Sequence, residues 1–178
     1  MNRHAGGSRP TLPAEAKALD LATMPTGKII SIVYTPDSPD YQRPEDRYVR
    51  TPVESVTLVV GKGIQGDRKG KYKDREINLM SVESQRVLAR EGFKASPGEL
   101  GEQIAVEGID VDQLKPGDRI QLGATAVLEV DKPRTGCDRF EHIQARKKSE
   151  ARGRLGQMMR VVESGEIRVG DEARSLAR

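Results

Sequence analysis

Cys137 is the one cysteine among 178 residues, so it cannot form an internal disulfide and any role it has rests on its thiol. It sits in Pro133-Arg134-Thr135-Gly136-Cys137-Asp138-Arg139-Phe140. Proline and glycine ahead of it predict a tight turn with open backbone. Arg134 and Arg139 flank the sulfur, and neighbouring cations favour thiolate over thiol. Asp138 is placed to cap a helix that runs on from Phe140, and a thiolate at a helix N-terminus gains further from the dipole. Lone cysteines are often inert core residues. A turn and two charges are a poor setting for such a residue, so this one reads as an accessible, activated thiol.

Other residues able to do chemistry lie in three segments. In Gly61-Lys62-Gly63-Ile64-Gln65-Gly66-Asp67-Arg68 the glycines permit close backbone approach, and Lys62, Arg68 and Lys69 could hold a phosphate or other oxyanion. The same pattern fits an ordinary basic turn. It is not a P-loop, because no Gly-Lys-Ser/Thr ending follows. Asn78 and Ser81 are polar groups at a strand end; they could meet a ligand, and Ser81 is also placed to cap a helix. Glu83 falls in that helix's first turn, where a carboxylate is favoured on structural grounds alone. Glu99 and Glu102 flank Gly101. Two carboxylates near a thiol could move protons, but pairing with Arg68 or Arg134 to orient the loop is the simpler role. His142, five residues past the cysteine, is off its face on a helix of 3.6 residues per turn and reads as a surface residue.

The elements that must position these groups are short. The pattern predicts strands at 27–34, 53–60, 75–80 and 103–107, a hairpin of 119–122 with 126–130 about Gly123, and a last hairpin of 158–162 with 166–169 about Gly165. Helices are predicted at 82–90, stopped by Gly92, and from about 138 to 151. Residues 35–52, with four prolines, read as a long loop. Residues 1–25 read as a flexible N-terminal arm, leaving 26–178 as one domain. Short strands between frequent turn signals predict a mainly β fold, a closed barrel with small flanking helices, and the lack of βαβα alternation disfavours a Rossmann-type sheet.

Composition narrows the function classes. The net charge is +3, from 30 basic and 27 acidic residues, and it is unevenly placed. Residues 132–160 hold nine Lys/Arg against three acids, and residues 61–75 hold six against two. Such fields draw anions, although a solvated basic helix face looks the same in sequence. Aromatics make up 3% of the chain, with no Trp and two Phe, which disfavours a stacking platform for nucleic acid. Two histidines and one cysteine exclude the usual zinc cage. No stretch reads as a signal peptide or membrane span, and an unpaired thiol fits a reducing cytoplasm.

Taken in order, Gly63-Ile64-Gln65-Gly66-Asp67-Arg68, Pro97-Gly98-Glu99-Leu100-Gly101-Glu102-Gln103-Ile104, and Pro116-Gly117-Asp118-Arg119 leading through Val127-Leu128-Glu129-Val130 to Cys137 resemble the MOSC domain. That family is named after the C-terminal domain of molybdenum cofactor sulfurase. The resemblance spans about residues 27–172. It implies a closed β-barrel, a pterin cofactor with an anionic tail (the molybdenum cofactor, molybdopterin), and Cys137 as catalytic residue and molybdenum ligand. It further implies cofactor contacts from Lys62, Gly66, Asp67, Arg68, Asn78, Ser81, Glu99, Gly101 and Arg134. The chain departs from the pattern at Lys69, where relatives carry histidine, at Gln103, where asparagine is common, and at Gly136, where proline is frequent. The last change predicts a looser loop before the cysteine.

Two functions follow as expectations. In the first, the protein reduces N-hydroxylated small molecules with the bound cofactor, taking electrons from a separate donor protein, since no iron–sulfur, flavin or nicotinamide motif is present. In the second, Cys137 carries a persulfide for delivery to metal–sulfur centres. The carrier would depend on a separate cysteine desulfurase, because the chain has no pyridoxal-phosphate domain of its own. The two basic segments favour the first.

Overall fold

The computed structural model describes residues 24–71 and 77–176; the arm expected over 1–25 falls almost wholly outside them. Eleven strands and two α-helices are formed among the described residues. Strand β1 (Thr26–Tyr34) pairs antiparallel with β6 (Ile104–Glu107) on one side and with β11 (Glu172–Leu176) on the other. β11 continues to β7 (Arg119–Leu122), then β8 (Ala126–Pro133), β9 (Gln157–Glu163) and β5 (Ile77–Ser81), and β5 returns to β6. Seven strands thus close into a barrel, as the turn-rich sequence predicts, with β2 (Thr51–Pro52) hanging on the end of β1. A second sheet, of β10 (Gly165–Arg168), β3 (Ser55–Val59) and β4 (Gly63–Ile64), lies against it.

Closure explains the interior. Alternate residues of the strands, among them Ile29, Ile32, Leu79, Ile104, Ile120, Leu128 and Val161, are buried in one cluster that fills the barrel. Ile30 is exposed, as alternation after Ile29 requires; Ile29 and Ile32, three apart, both face inward because β1 bulges between them, its register shifting between Ile29 and Ser31. The β5–β6 pair is parallel, which demands a crossover. Helix α1 (Val82–Arg90) supplies it, with bounds that match the sequence expectation.

A second apolar cluster forms outside the barrel from Met80, Leu88, Phe93, Leu100, Phe140, Ala151 and Leu155. The only two phenylalanines of the chain meet there, Phe93 and Phe140, with ring centroids 6.1 Å apart. This cluster fastens helix α2 (Asp138–Gln144) to the loop after α1.

Three sequence expectations are corrected. The helix expected to reach 151 stops at Gln144, because Ala145 turns left-handed (φ 51°); a 3-10 turn, Lys148–Ala151, resumes after it. The last hairpin does not form: β9 pairs with β8 and β5, while β10 pairs with β3 in the other sheet. The loop at 35–52 ends in β2, and the glycine-rich turn contains β4 and a 3-10 turn, Arg68–Lys71. No helix among the described residues is long and apolar enough to cross a membrane.

Candidate active site

Cys137 is exposed and free. It occupies the N-cap of α2 with extended backbone, φ −116° and ψ 175°, and its side chain caps nothing. Asp138, expected as the cap, is instead the first helical residue. Its carboxylate accepts a 2.7 Å bond from Lys148 Nζ, which holds that carboxyl below the usual range. Phe140 anchors the helix in the outer apolar cluster. Gln144, 4% exposed, clamps its other end: Nε2 donates to the carbonyls of Lys94 and Glu99 at 3.0 and 2.9 Å, and Oε1 accepts from the Lys94 N–H at 2.8 Å. The thiol and the loop at 94–102 are therefore held as one body. Gly136 is a packing requirement more than a source of slack, because a Cβ there would lie 2.6 Å from Lys148 Cβ and 3.1 Å from the Phe140 ring.

Arg134 reaches from the end of β8 to the same place. Its guanidinium packs on Gly101, where a Cβ would stand 2.6 Å from Arg134 Nη2 and 3.2 Å from two carbons of the Tyr48 ring. Gly101 also has φ +91°, which side chains rarely adopt. Tyr48 lies beside Arg134 against Gly101, and its ring is faced by Arg139 at 5.4 Å and Arg50 at 5.8 Å. Burial raises the Tyr48 phenol above its usual value; Arg134 opposes the shift, and the Cys137 sulfur is near enough to add to it. Burial also lowers the Arg134 guanidinium, with Tyr48, Glu102 and Cys137 acting against that shift. Arg134 Nη1 is buried and has no hydrogen-bond partner among the described residues. A buried guanidinium N–H left unpaired is expensive, and an anionic or carbonyl ligand would satisfy it.

Beneath this mouth lies a polar network. Arg50 donates to the Gly101 carbonyl at 3.2 Å, the Glu102 carbonyl at 3.3 Å and Thr35 Oγ1 at 2.6 Å. Asn78 Nδ2 donates to the Gly101 carbonyl at 2.9 Å. Gln103 Nε2 donates to Asp67 Oδ2 at 2.7 Å, and its Oε1 accepts from the Asn78 N–H and Lys69 Nζ at 2.9 and 3.2 Å. Glu102 is fully buried. Its Oε1 accepts from the Gly98 N–H at 2.5 Å and Gln85 Nε2 at 2.9 Å, while Oε2 has no partner among the described residues.

The residues singled out by sequence thus separate into groups. Cys137, Arg134 and Gly101 come together at the mouth. Asp67, Asn78, Lys69, Gln103 and Glu102 form the layer below, joined to one another or to Gly101 and Arg50. Glu99 closes its own turn, its Oε2 accepting from the Ser96 N–H at 2.9 Å, and does not make the expected ion pair with Arg68 or Arg134 among the described residues. Arg68 is engaged elsewhere, over the Tyr41 ring at 4.4 Å and 4.0 Å from Asp37. Lys62 and Gly66 lie exposed on their turn, where the Gly66 carbonyl accepts from the Asp37 N–H. Ser81 donates to Ser84 Oγ, which donates to Asp112, and it lines a separate groove with Glu83, Asp110 and Arg154. Part of the basic surplus at 132–160 is matched by acids outside the segment, Arg154 with Glu91 and Arg160 with Glu129, while Lys148 with Asp138 and Arg146 with Glu150 pair within it.

Tyr48 and Arg50 were missed by sequence reasoning. They stand in the stretch read as a plain loop. The one signal there is the alternation of Arg47-Tyr48-Val49-Arg50, which places an aromatic between cations. That loop is tied over the site, since Arg139 Nη2 donates to the Arg47 carbonyl at 2.8 Å and Thr35 Oγ1 to the Val49 carbonyl at 2.6 Å.

The MOSC domain family model matches residues 54–174. Among solved structures, a crystal structure of a hypothetical protein superposes with a TM-score of 0.70 at 18% identity, over 91% of this chain and 71% of the other. The YuaD protein from Bacillus subtilis gives 0.65 at 21% identity, over 85% of this chain and 97% of its own. YiiM from Escherichia coli gives 0.61 at 20% identity, over 85% and 70%. These likenesses carry the fold and nothing finer. No curated protein matches the chain significantly.

Proposed function

Because the chain belongs to the MOSC domain family, one associated with molybdenum cofactor binding, we propose that it holds that cofactor at the mouth formed by Cys137, Arg134 and Gly101. There Cys137 would be the protein's molybdenum ligand, and the protein would reduce N-hydroxylated small molecules. The observation that carries the reading is an exposed thiol near a guanidinium whose buried Nη1 lacks a partner among the described residues. The residues present fit the group. A soft thiolate suits molybdenum, and an unpaired guanidinium N–H suits a phosphate or pterin oxygen.

The cofactor, when bound, supplies the two-electron redox chemistry. The rest falls to this chain. Cys137 holds the metal, and Phe140 and Gln144 fix the helix that presents the sulfur. Arg134 receives an anionic or carbonyl oxygen through Nη1. Tyr48, whose phenol burial pushes above its usual value, and the loop tied by Arg139 cover one side of the mouth. Electrons come from a separate donor protein. Arg68, Lys62 and Ser81 are less well placed for cofactor contacts than the sequence implies, because their described contacts lie away from Arg134.

The exposure of Cys137 also suits persulfide transfer from a desulfurase, the second reading. The two are separated by incubating purified protein with a cysteine desulfurase and cysteine, and by assaying reduction of an N-hydroxylated amidine with a chemical reductant. The proposal expects turnover that requires bound molybdenum. A stable persulfide on Cys137 with no metal and no turnover would favour the carrier.

A further inference from the structure

Two of the three buried side-chain polar atoms without a partner among the described residues belong to neighbours at this site, Arg134 Nη1 and Glu102 Oε2. Glu102 is 0% exposed, yet only one of its carboxyl oxygens is used. Oε1 does the structural work, accepting from Gly98 and Gln85. A carboxylate in that position would leave a charged oxygen buried and unpaired, which is among the costliest arrangements in a protein interior. A neutral carboxylic acid avoids that charge, and its Oε2–H can be given away.

We propose that Glu102 is the proton donor for N–O cleavage at the Cys137 mouth, releasing its proton from Oε2 through a bridging water while the nearby positive charges of Arg134 and Arg50 favour the carboxylate that remains. The proposal rests on the reductase reading. The balance is R–NH–OH plus two electrons and two protons giving R–NH2 and water. The Glu102 O–H bond breaks and an O–H bond forms on the departing hydroxyl as the N–O bond breaks. The two electrons come from the external donor, and the second proton and the reprotonation of Glu102 come from solvent. The groups facing Glu102 suit both states. Burial raises its carboxyl above the usual range, opposed by the Gly98 N–H, by its own N–H and by Arg134 and Arg50. Tyr48 and Cys137 lie beyond Arg134, Asp67 acts on Arg50, and Gln85 from α1 is neutral. The buried Oε2 without a hydrogen bond among the described residues is what favours the acid at rest, and two guanidinium charges lie near when it ionises.

The test has one readout free of cofactor and one that uses it. Infrared spectra of the apo protein at neutral pH should contain a neutral carboxylic acid C=O band that shifts in deuterium oxide. Asp112 is also pushed up by burial, so the band should survive in Asp112→Asn and vanish in Glu102→Gln, a variant that keeps the Oε1 acceptor. Absence of such a band in Asp112→Asn overturns the proposal. In molybdenum-loaded protein, Glu102→Gln should lower kcat by about a hundredfold or more, leave KM and molybdenum content unchanged, and lose the alkaline fall of the wild-type pH profile. Glu102→Gln turning over at the wild-type rate with the wild-type profile overturns the proposal alone. Loaded wild-type protein that turns nothing over overturns the reductase reading on which it rests.

Discussion

Gln103 Nε2 meets Asp67 Oδ2 at 2.7 Å, joining the glycine-rich turn after β4 to the residue that leads into β6. Gln103 is fully buried, and Asp67 nearly so. The same glutamine satisfies the Asn78 N–H at the start of β5. Asp67 therefore serves the interior of the protein, its Oδ1 accepting in addition from the Thr35 and Lys69 N–H groups. Replacing Gln103 by leucine keeps the bulk and strands two buried polar groups. At about 1–3 kcal/mol each, the loss should be about 2–6 kcal/mol in denaturant unfolding. A change below about 0.5 kcal/mol would show that the network contributes little.

Gly101→Ala tests the packing of the mouth. The added methyl would lie 2.6 Å from Arg134 Nη2, on a backbone with φ +91°. Stability should fall by about 1–2 kcal/mol from the backbone alone. Arg134 should also be displaced, so cofactor occupancy should fall along with that of Arg134→Ala. Loss of one charge-assisted hydrogen bond, about 1.5–3 kcal/mol, predicts roughly ten- to a hundredfold weaker retention for Arg134→Ala. Arg68→Ala should weaken retention far less, since Arg68 packs on Tyr41. Equal losses for Arg68→Ala and Arg134→Ala, measured as molybdenum per protein, would contradict the assignment.

Glu102 gives the protein a pH signature. Its native carboxyl is raised by burial, so between the unfolded value near pH 4.3 and the native value the folded state binds more protons than the unfolded one. Its stabilising contribution is full below the lower of these and is lost as pH rises through the higher. The stability gap between wild type and Glu102→Gln should therefore shift against the wild type as pH rises from 4 toward neutrality. Urea titrations of both proteins at several pH values report it. A gap that moves the other way would mean that Arg134 and Arg50 outweigh burial.

The barrel was legible because its cues are local. Period-2 apolar strands and glycine-marked turns gave β1, β5 to β9 and the β7–β8 hairpin, and Ser81 with Gly92 bracketed α1. Pairing was not legible, because partners of β9 and β10 are set by closure of the whole sheet and not by the Ser164-Gly165 turn between them. The end of α2 was missed because nothing in Gln144-Ala145-Arg146 marks a left-handed turn at alanine. The nearness of Cys137 and Arg134 was legible in their own segment. Tyr48 and Arg50 were not, since their place at the site comes from a loop folded back across the barrel and held by Arg139. The charge surplus at 132–160 overstated the free positive field, because acids distant in sequence, such as Glu91 and Glu129, neutralise part of it.

The role of Cys137 is the centre of the account. Its side chain is exposed and caps nothing, so Cys137→Ala should unfold within about 0.5 kcal/mol of wild type. The decisive measurement is molybdenum per protein in wild type and Cys137→Ala, each purified from a host that makes the cofactor. The account predicts near-stoichiometric molybdenum in wild type and almost none in the equally folded variant. Wild-type protein that stays metal-free in the presence of intact cofactor, or a variant that keeps the wild-type amount, would contradict it.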